Sequence, residues 1–310
     1  MFYSIRDVEN LTGIKAHTLR IWEQRYKFIT PHRTDTRIRF YDADQLKYLL
    51  NISSLLKSGY KVSHISAMTP DEIARLVNQI ATGPAGEASF YEVQVSELIK
   101  AMLDLNEKRF EEVVEMCLMR IGFEGLMLHV LIPLMERVGV LWASGQANVA
   151  QEHFISNLVR RKIIVAIDQL KNQQISDQEK YLLFLPEGEM HELGLLFSKY
   201  IIKSRGRRTL YLGQSMPYED LKKIIVQSSP DYLFTALTST INKDRVECFL
   251  QNLLDEFPNL PLIVTGGCHQ YYKLKGNVIR ISDAESLIRF VNGDRTAHFK
   301  QFSSTPNRLN

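Results

Sequence analysis

From residue 180 onward the chain alternates short apolar runs with longer amphipathic ones. Runs at 181–185, 208–211, 232–237 and 262–265 have the length and composition of buried strands, and those at 193–204, 218–227 and 243–256 have helical periodicity. Strand–helix alternation leaves few solutions. Parallel strands need crossover helices, so the segment is expected to form a Rossmann-like parallel sheet covered on both faces. The first strand runs into Pro186-Glu-Gly-Glu-Met-His-Glu-Leu-Gly194. That loop would lie at the carboxyl edge of the sheet, where open α/β sheets bind ligands. A neutral imidazole at His191 is a good transition-metal ligand, and Glu189 is placed to take its other ring nitrogen. Gly194 would allow close backbone approach.

Two later stretches belong with this loop. Thr238-Ser239-Thr240 follows the 232–237 run, and Gly266-Gly267 follows the 262–265 run. Glu-x-His-x-x-Gly, a hydroxyl cluster and Gly-Gly, in this order, resemble the cobalamin-binding domain of corrinoid proteins. The pattern there is Asp-x-His-x-x-Gly, Ser-x-Leu or Ser-x-Thr, and Gly-Gly. The resemblance implies that His191 is the lower cobalt ligand and that the hydroxyls and glycines line a slot for the displaced nucleotide tail. Glu189 for Asp and Thr238 for Ser are mild departures.

The opposite end has a different character. Ser4-Ile-Arg-Asp7 offers a helix cap, Gly13 a stop, and a second helix follows over about 15–23. Two short helices joined by a glycine turn suggest helix-turn-helix. Residues 15–39 carry 7 basic side chains against 2 acidic ones, an excess larger than the net +3 of the chain. Such local excess is the electrostatic footprint of phosphate binding. Residues 30–41 alternate basic and apolar like a hairpin wing, and 45–56 is an amphipathic helix. The run 12–26, with Thr30-Pro-His-Arg33 and Arg37-x-Arg-Phe-Tyr41, resembles the winged helix-turn-helix of MerR-type transcriptional regulators. The resemblance implies that Lys15, His17, Thr18 and Arg20 face the major groove of a double-stranded operator, and that Arg33, Arg37, Arg39 and Tyr41 are wing contacts. Leu19, Ile21, Trp22 and Tyr26 are expected in the core.

Between the ends, Thr82-Gly-Pro-Ala-Gly-Glu87 reads as a linker, and helical patterns continue from Phe90 to about Asn172. The last of these helices is expected to carry Trp142 through His153, with Glu152 and His153 on different faces. Read alone, Trp142 and His153 are a core aromatic and a satisfied polar residue. Trp, nine residues, then Glu-His, set between the other two blocks, resembles the cap of cobalamin-dependent photoreceptor regulators of the CarH and LitR type. The resemblance implies that Trp142, Glu152 and His153 cover adenosylcobalamin from above. Light-sensing members have a histidine directly after the Trp; here it is Ala143, which removes that route to a durable light adduct.

The expected fold is multi-domain α and α/β. It comprises a winged helix-turn-helix over residues 1–75, a linker over 76–89, a four-helix-bundle cobalamin cap over 90–175, a Rossmann-like cobalamin-binding domain over 180–292 and a flexible tail over 293–310. Composition fits a globular chain, with 45% apolar and 24% charged residues. No apolar run suggests a membrane span and no leader is evident, so a cytoplasmic location is expected. Cys117, Cys248 and Cys268 are scattered, which disfavours disulfides and structural zinc. No Gly-x-Gly-x-x-Gly or P-loop is present. The function expected is a DNA-binding regulator, not an enzyme, controlled by cobalamin, with the response to light left open by Ala143, and acting as a homo-oligomer, a dimer or a cofactor-dependent tetramer. A corrinoid methyl carrier and a cofactor-free regulator working through protein partners are the alternatives.

Overall fold

The structure is a computed structural model describing residues 2–27, 29–83, 86–143, 149–170, 179–238 and 243–294. The chain divides into two compact units, Met1–Val159 and Arg160–Asn310.

In the first unit, β1 (Phe2–Ser4) leads into α1 (Ile5–Thr12). Ser4 and Asp7 form a reciprocal capping box, and Gly13 ends the helix at φ 75°. Helix α2 (Ala16–Arg25) starts on a borrowed cap: Glu9 of α1 accepts the Ala16 N–H at 3.0 Å. This fixes the angle between the two helices. Strands β2 (His32–Arg33) and β3 (Arg39–Asp42) form the wing, and β1 joins them in an antiparallel sheet of order β1-β3-β2. Helix α3 (Ala43–Lys57) opens with an Asp42/Gln45 capping box. It buries Leu46, Leu49, Leu50, Ile52 and Leu55 completely. Each such side chain contributes about 1.5–3 kcal/mol.

Short α4 (Val62–Ile65) and α5 (Pro70–Thr82) follow, then four bundle helices. These are α6 (Glu87–Leu103), α7 (Glu107–Leu126), α8 (Ile132–Ala143) and α9 (Val149–Gln169). Residues 76–82 are helical, so half of the segment read as a linker belongs to α5. Its apolar face explains why: Ile73, Val77 and Ala81 are buried, and α5 packs on both α3 and α6. Polar ties join the same layers. Glu92 of α6 accepts from Lys57 of α3 at 2.7 Å and from Arg137 of α8 at 2.7 and 2.9 Å. Helix α7 is interrupted at Gly122 (φ 67°, ψ 178°), and Met127–Leu131 forms a wider π turn before α8. By length and composition alone, Glu107–Gly139 would be long and apolar enough to cross a membrane, although Arg120, Glu124, Glu136 and Arg137 interrupt it. Several of its apolar side chains, Phe110, Val113, Val114, Val130, Leu131 and Leu134, are fully buried in the bundle.

The second unit contains a five-stranded parallel sheet of order β5-β4-β6-β7-β8. The strands are β4 (Lys180–Pro186), β5 (Arg208–Met216), β6 (Tyr232–Ala236), β7 (Leu262–Thr265) and β8 (Val278–Arg280). The helices are α10 (Leu193–Ser204), α11 (Tyr218–Ser228), α12 (Lys243–Glu256) and α13 (Ala284–Val291). Residues Tyr181 to Leu185 are all 0% exposed, as expected for a strand covered on both faces. Leu182, Phe184, Leu233 and Leu262 pack with Leu221, Ile225, Leu250 and Leu253 of α11 and α12. On the other side Tyr181 stacks on Tyr232, which meets Phe290 of α13 edge-on. The chain leaves central β4 for one edge and returns through β6 to the other. The gap between β4 and β6 is therefore a topological switch point.

Candidate functional site

The loop after β4 is built around a buried carboxylate. The Glu189 N–H donates to the carbonyl of Pro186 at 3.0 Å, closing a tight turn. Glu189 is 5% exposed, and its Oε1 lies 2.6 Å from Nδ1 of His191 and accepts the His191 backbone N–H at 3.0 Å. The end of β5 braces the loop from the side. Ser215 Oγ accepts from Gly188 N–H at 3.1 Å, and Gln214 Nε2 donates to the Met190 carbonyl at 2.6 Å. The His191 side chain is half-exposed. Glu192 turns the other way and is buried, accepting from Tyr211 Oη at 2.8 Å and Arg160 Nε at 2.5 Å. Burial, then the Glu192 carboxylate, raise the pKa of the Tyr211 phenol.

Across the switch point, the ends of β6 and β7 are drawn tightly together. Leu237 N–H donates to Thr265 O at 2.7 Å, and Cys268 N–H donates to Leu237 O at 3.0 Å. Gly266 sits at φ 97°, and a Cβ there would lie 2.5 Å from Leu237 O. No side chain fits. At Gly267 an added Cβ would meet nothing within 4 Å. A Cβ at Gly194 would meet Ala236 Cβ at 3.7 Å, an ordinary contact, so helix–strand packing there does not demand glycine. Thr238 is exposed, while Ser239 and Thr240 lie outside the described residues. Thr235, which the sequence reading passed over, is fully buried on β6, and its Oγ1 has no hydrogen-bond partner among the described residues. Its signal was present, because Thr235-Ala-Leu237 also has the hydroxyl-x-leucine form.

Trp142 is on the last turn of α8, and its side chain lies outside the described part of the structure. Glu152 and His153 lie at the start of α9, and residues 144–148, which the expected single helix from Trp142 to His153 would include, lie outside the described residues. The Ser144-Gly145 pair between them is a breaker signal. The two side chains were expected on different faces, yet Glu152 Oε2 lies 2.9 Å from His153 Nδ1. Neighbouring helix positions are about 100° apart, which a glutamate can span.

In the winged helix, His17 and Arg20 are exposed and Thr18 is half-buried. Lys15 pairs with Glu9 at 3.0 Å. Arg33 and Arg39 both bind Glu23 of α2, at 2.5 and 2.6 Å. Burial raises the pKa of Glu23, but hydrogen bonds from Arg39 and Arg33 outweigh it and hold the carboxyl below its ordinary range. Arg37, at the wing tip, is exposed with φ 61°. Two expectations are corrected here. Tyr41 is 1% exposed and pairs in register with Tyr3, so it belongs to the core and not to the wing surface. Ile21, expected in the core, is 50% exposed, whereas Leu19 and Trp22 are buried.

Family models match the winged helix and the helical bundle. Residues 3–72 match the family model described as MerR HTH family regulatory protein. Residues 94–166 match the one described as B12 binding domain.

The chain joins a MerR-type helix-turn-helix to a B12-binding domain.

It is 27% identical over 267 residues to the HTH-type transcriptional repressor CarH of Myxococcus xanthus, covering 85% of this chain and 88% of that protein. The HTH-type transcriptional repressor CarA of the same organism is 26% identical over 276 residues, covering 88% and 90%. Among solved structures, the monomethylamine corrinoid protein of Methanosarcina barkeri superposes with a TM-score of 0.52 at 15% identity, covering 62% of this chain and 94% of that one. That likeness bears on the fold. The donor set after β4 fits a corrinoid. Cobalt in a corrin ring takes axial ligands, and an imidazole whose Nδ1 lies against a buried carboxylate is of the type that could supply one.

Proposed function

We propose that this chain regulates transcription by binding a double-stranded DNA operator under the control of a bound cobalamin, with adenosylcobalamin as the form sensed. The observation that carries this is the Glu189–His191 pair at the switch point, in a chain whose first 72 residues match a MerR-type model. When bound, the group supplies a large rigid surface and a light-labile upper ligand. His191 would hold it through Nε2, Glu189 would fix the imidazole tautomer, and Thr235, Thr238, Gly266 and Gly267 would border its tail. Trp142, Glu152 and His153 would cover the opposite face. A bound ligand shifts a conformational equilibrium only as far as it favours one state over another. Homo-oligomer formation is the output proposed, with His17, Arg20 and Arg37 on the DNA side.

The test is a visible spectrum of the protein mixed with adenosylcobalamin in the dark, desalted, then lit with green light, with particle size and operator binding measured before and after. A retained spectrum with light-dependent size supports the whole reading. A retained, light-inert spectrum supports a cobalamin sensor without photochemistry, in line with Ala143. No retained cofactor overturns cobalamin control. The methyl-carrier alternative gives no role to the helix-turn-helix.

A further inference from the structure

Helix α2 turns a defined face outward. His17, Arg20, Ile21 and Gln24 are all exposed and recur at helical spacings of three and four. Leu19 and Trp22 hold the opposite face in the core. At about 100° per residue, Ile21 points roughly 130° away from the middle of that buried face. Its position therefore follows from the register of α2 and not from loose packing.

A single exposed isoleucine is ordinary on a protein surface. This one differs in its neighbours. It lies between Arg20 and Gln24, on a helix that also carries Arg25 and begins beside Lys15. Arginine pairs with guanine, glutamine with adenine, and an apolar side chain meets the thymine 5-methyl group, all in the major groove. The face thus carries one side chain for each kind of contact, with positive charge around it to match a phosphate backbone.

We propose that Ile21 is a specificity-determining residue that reads a thymine methyl group in the operator, beside base contacts from Arg20 and Gln24. This rests on the DNA-binding reading above, and it adds a residue and a base-edge chemistry. The contact is local and needs no cofactor.

The experiment uses the full chain. Preferred sites are selected from a random duplex pool, and each thymine in the selected site is then replaced singly by deoxyuridine, which removes only the methyl group. At one position per half-site the replacement should weaken binding about fourfold, the effect of leaving one methyl group in water. Ile21→Ala should bind normal duplex more weakly and lose sensitivity at that position alone, while Ile21→Val keeps part of it. Since Ile21 is exposed, both variants should melt like the parent. If Ile21→Ala shows the same deoxyuridine profile as the parent, the inference is overturned while DNA binding stands. If the parent shows no methyl sensitivity, the inference also falls. If no duplex is bound with or without adenosylcobalamin, the DNA-binding reading itself fails and the inference goes with it.

Discussion

Oε1 of Glu189 lies 2.6 Å from Nδ1 of His191 and 3.0 Å from the backbone nitrogen of the same residue. One buried oxygen thus fixes both the ring and the main chain that carries it. Glu189→Gln keeps the size and one carbonyl acceptor but removes the negative charge that strengthens both bonds. Cobalamin affinity should fall by roughly 10- to 100-fold, the usual effect of losing such an orienting partner. Equilibrium dialysis with detection at visible wavelengths measures it, with far-ultraviolet circular dichroism as the control for folding. Parent-like affinity would make the pair a purely structural contact.

The two adjacent glycines should separate stability from binding. Gly266→Ala places a Cβ 2.5 Å from Leu237 O at a φ of 97°, and should cost about 3 kcal/mol or more. Gly267→Ala meets nothing within 4 Å, and should stay within about 0.5 kcal/mol of the parent. If Gly267 borders the nucleotide tail, its variant loses cofactor affinity while its denaturation midpoint holds. Urea titrations of both apo-proteins test the first half, and dialysis the second.

Acid should reach Glu97 only after ordinary glutamates have protonated. Its carboxylate accepts from Arg109 at 2.7 and 3.2 Å and from Lys100. Burial raises the pKa of Glu97, but the Lys100 and Arg109 interactions outweigh it and hold the group below the ordinary glutamate range. A depressed folded value means that the stabilisation is complete above the unfolded value of about 4.3 and disappears as pH falls through the folded one. Glu97→Gln should therefore destabilise at neutral pH, by about 3 kcal/mol for a nearly buried pair. The difference from the parent should shrink below about pH 4. A gap of constant size across that range would count against the ion-pair account.

Glu23 holds Arg33 and Arg39 of the wing against α2. Glu23→Gln would release up to two cations toward phosphate. Each added phosphate contact steepens the slope of log K against log salt by roughly 0.9. A steeper slope by one to two contacts is expected in fluorescence-anisotropy titrations over several salt concentrations. An unchanged slope would mean that both arginines stay with the wing when DNA binds.

Local chemistry was easy to read in the sequence, and long-range placement was not. The Ser4/Asp7 cap, the Gly13 stop, α10, α12 and β7 were legible because each is written in consecutive residues. The Glu189–His191 pair was legible for the same reason, being two residues apart. Tyr41 was misread because its neighbours Arg37 and Arg39 are basic, while its own direction is set by pairing with Tyr3, 38 positions away. Ile21 was misread because residue type was followed where helix register decides. Strand β8 has only three residues, and its place at the sheet edge comes from pairing with β7, so neither it nor α13 stood out. Thr235 was hidden inside a run of apolar residues, where only burial without a partner marks it.

Strand β1 starts at Phe2, and the Phe2 ring packs 4.9 Å from Phe40 and 6.4 Å from His32 of the wing. Anything fused ahead of Phe2 therefore emerges alongside the wing. A polyhistidine handle at that end would bring its own titratable charge and metal affinity to the side of the molecule that is meant to meet the operator. It would imitate part of the salt and pH behaviour being measured. Purification handles for this chain belong at the other end, and earlier residues are best left as short as translation allows.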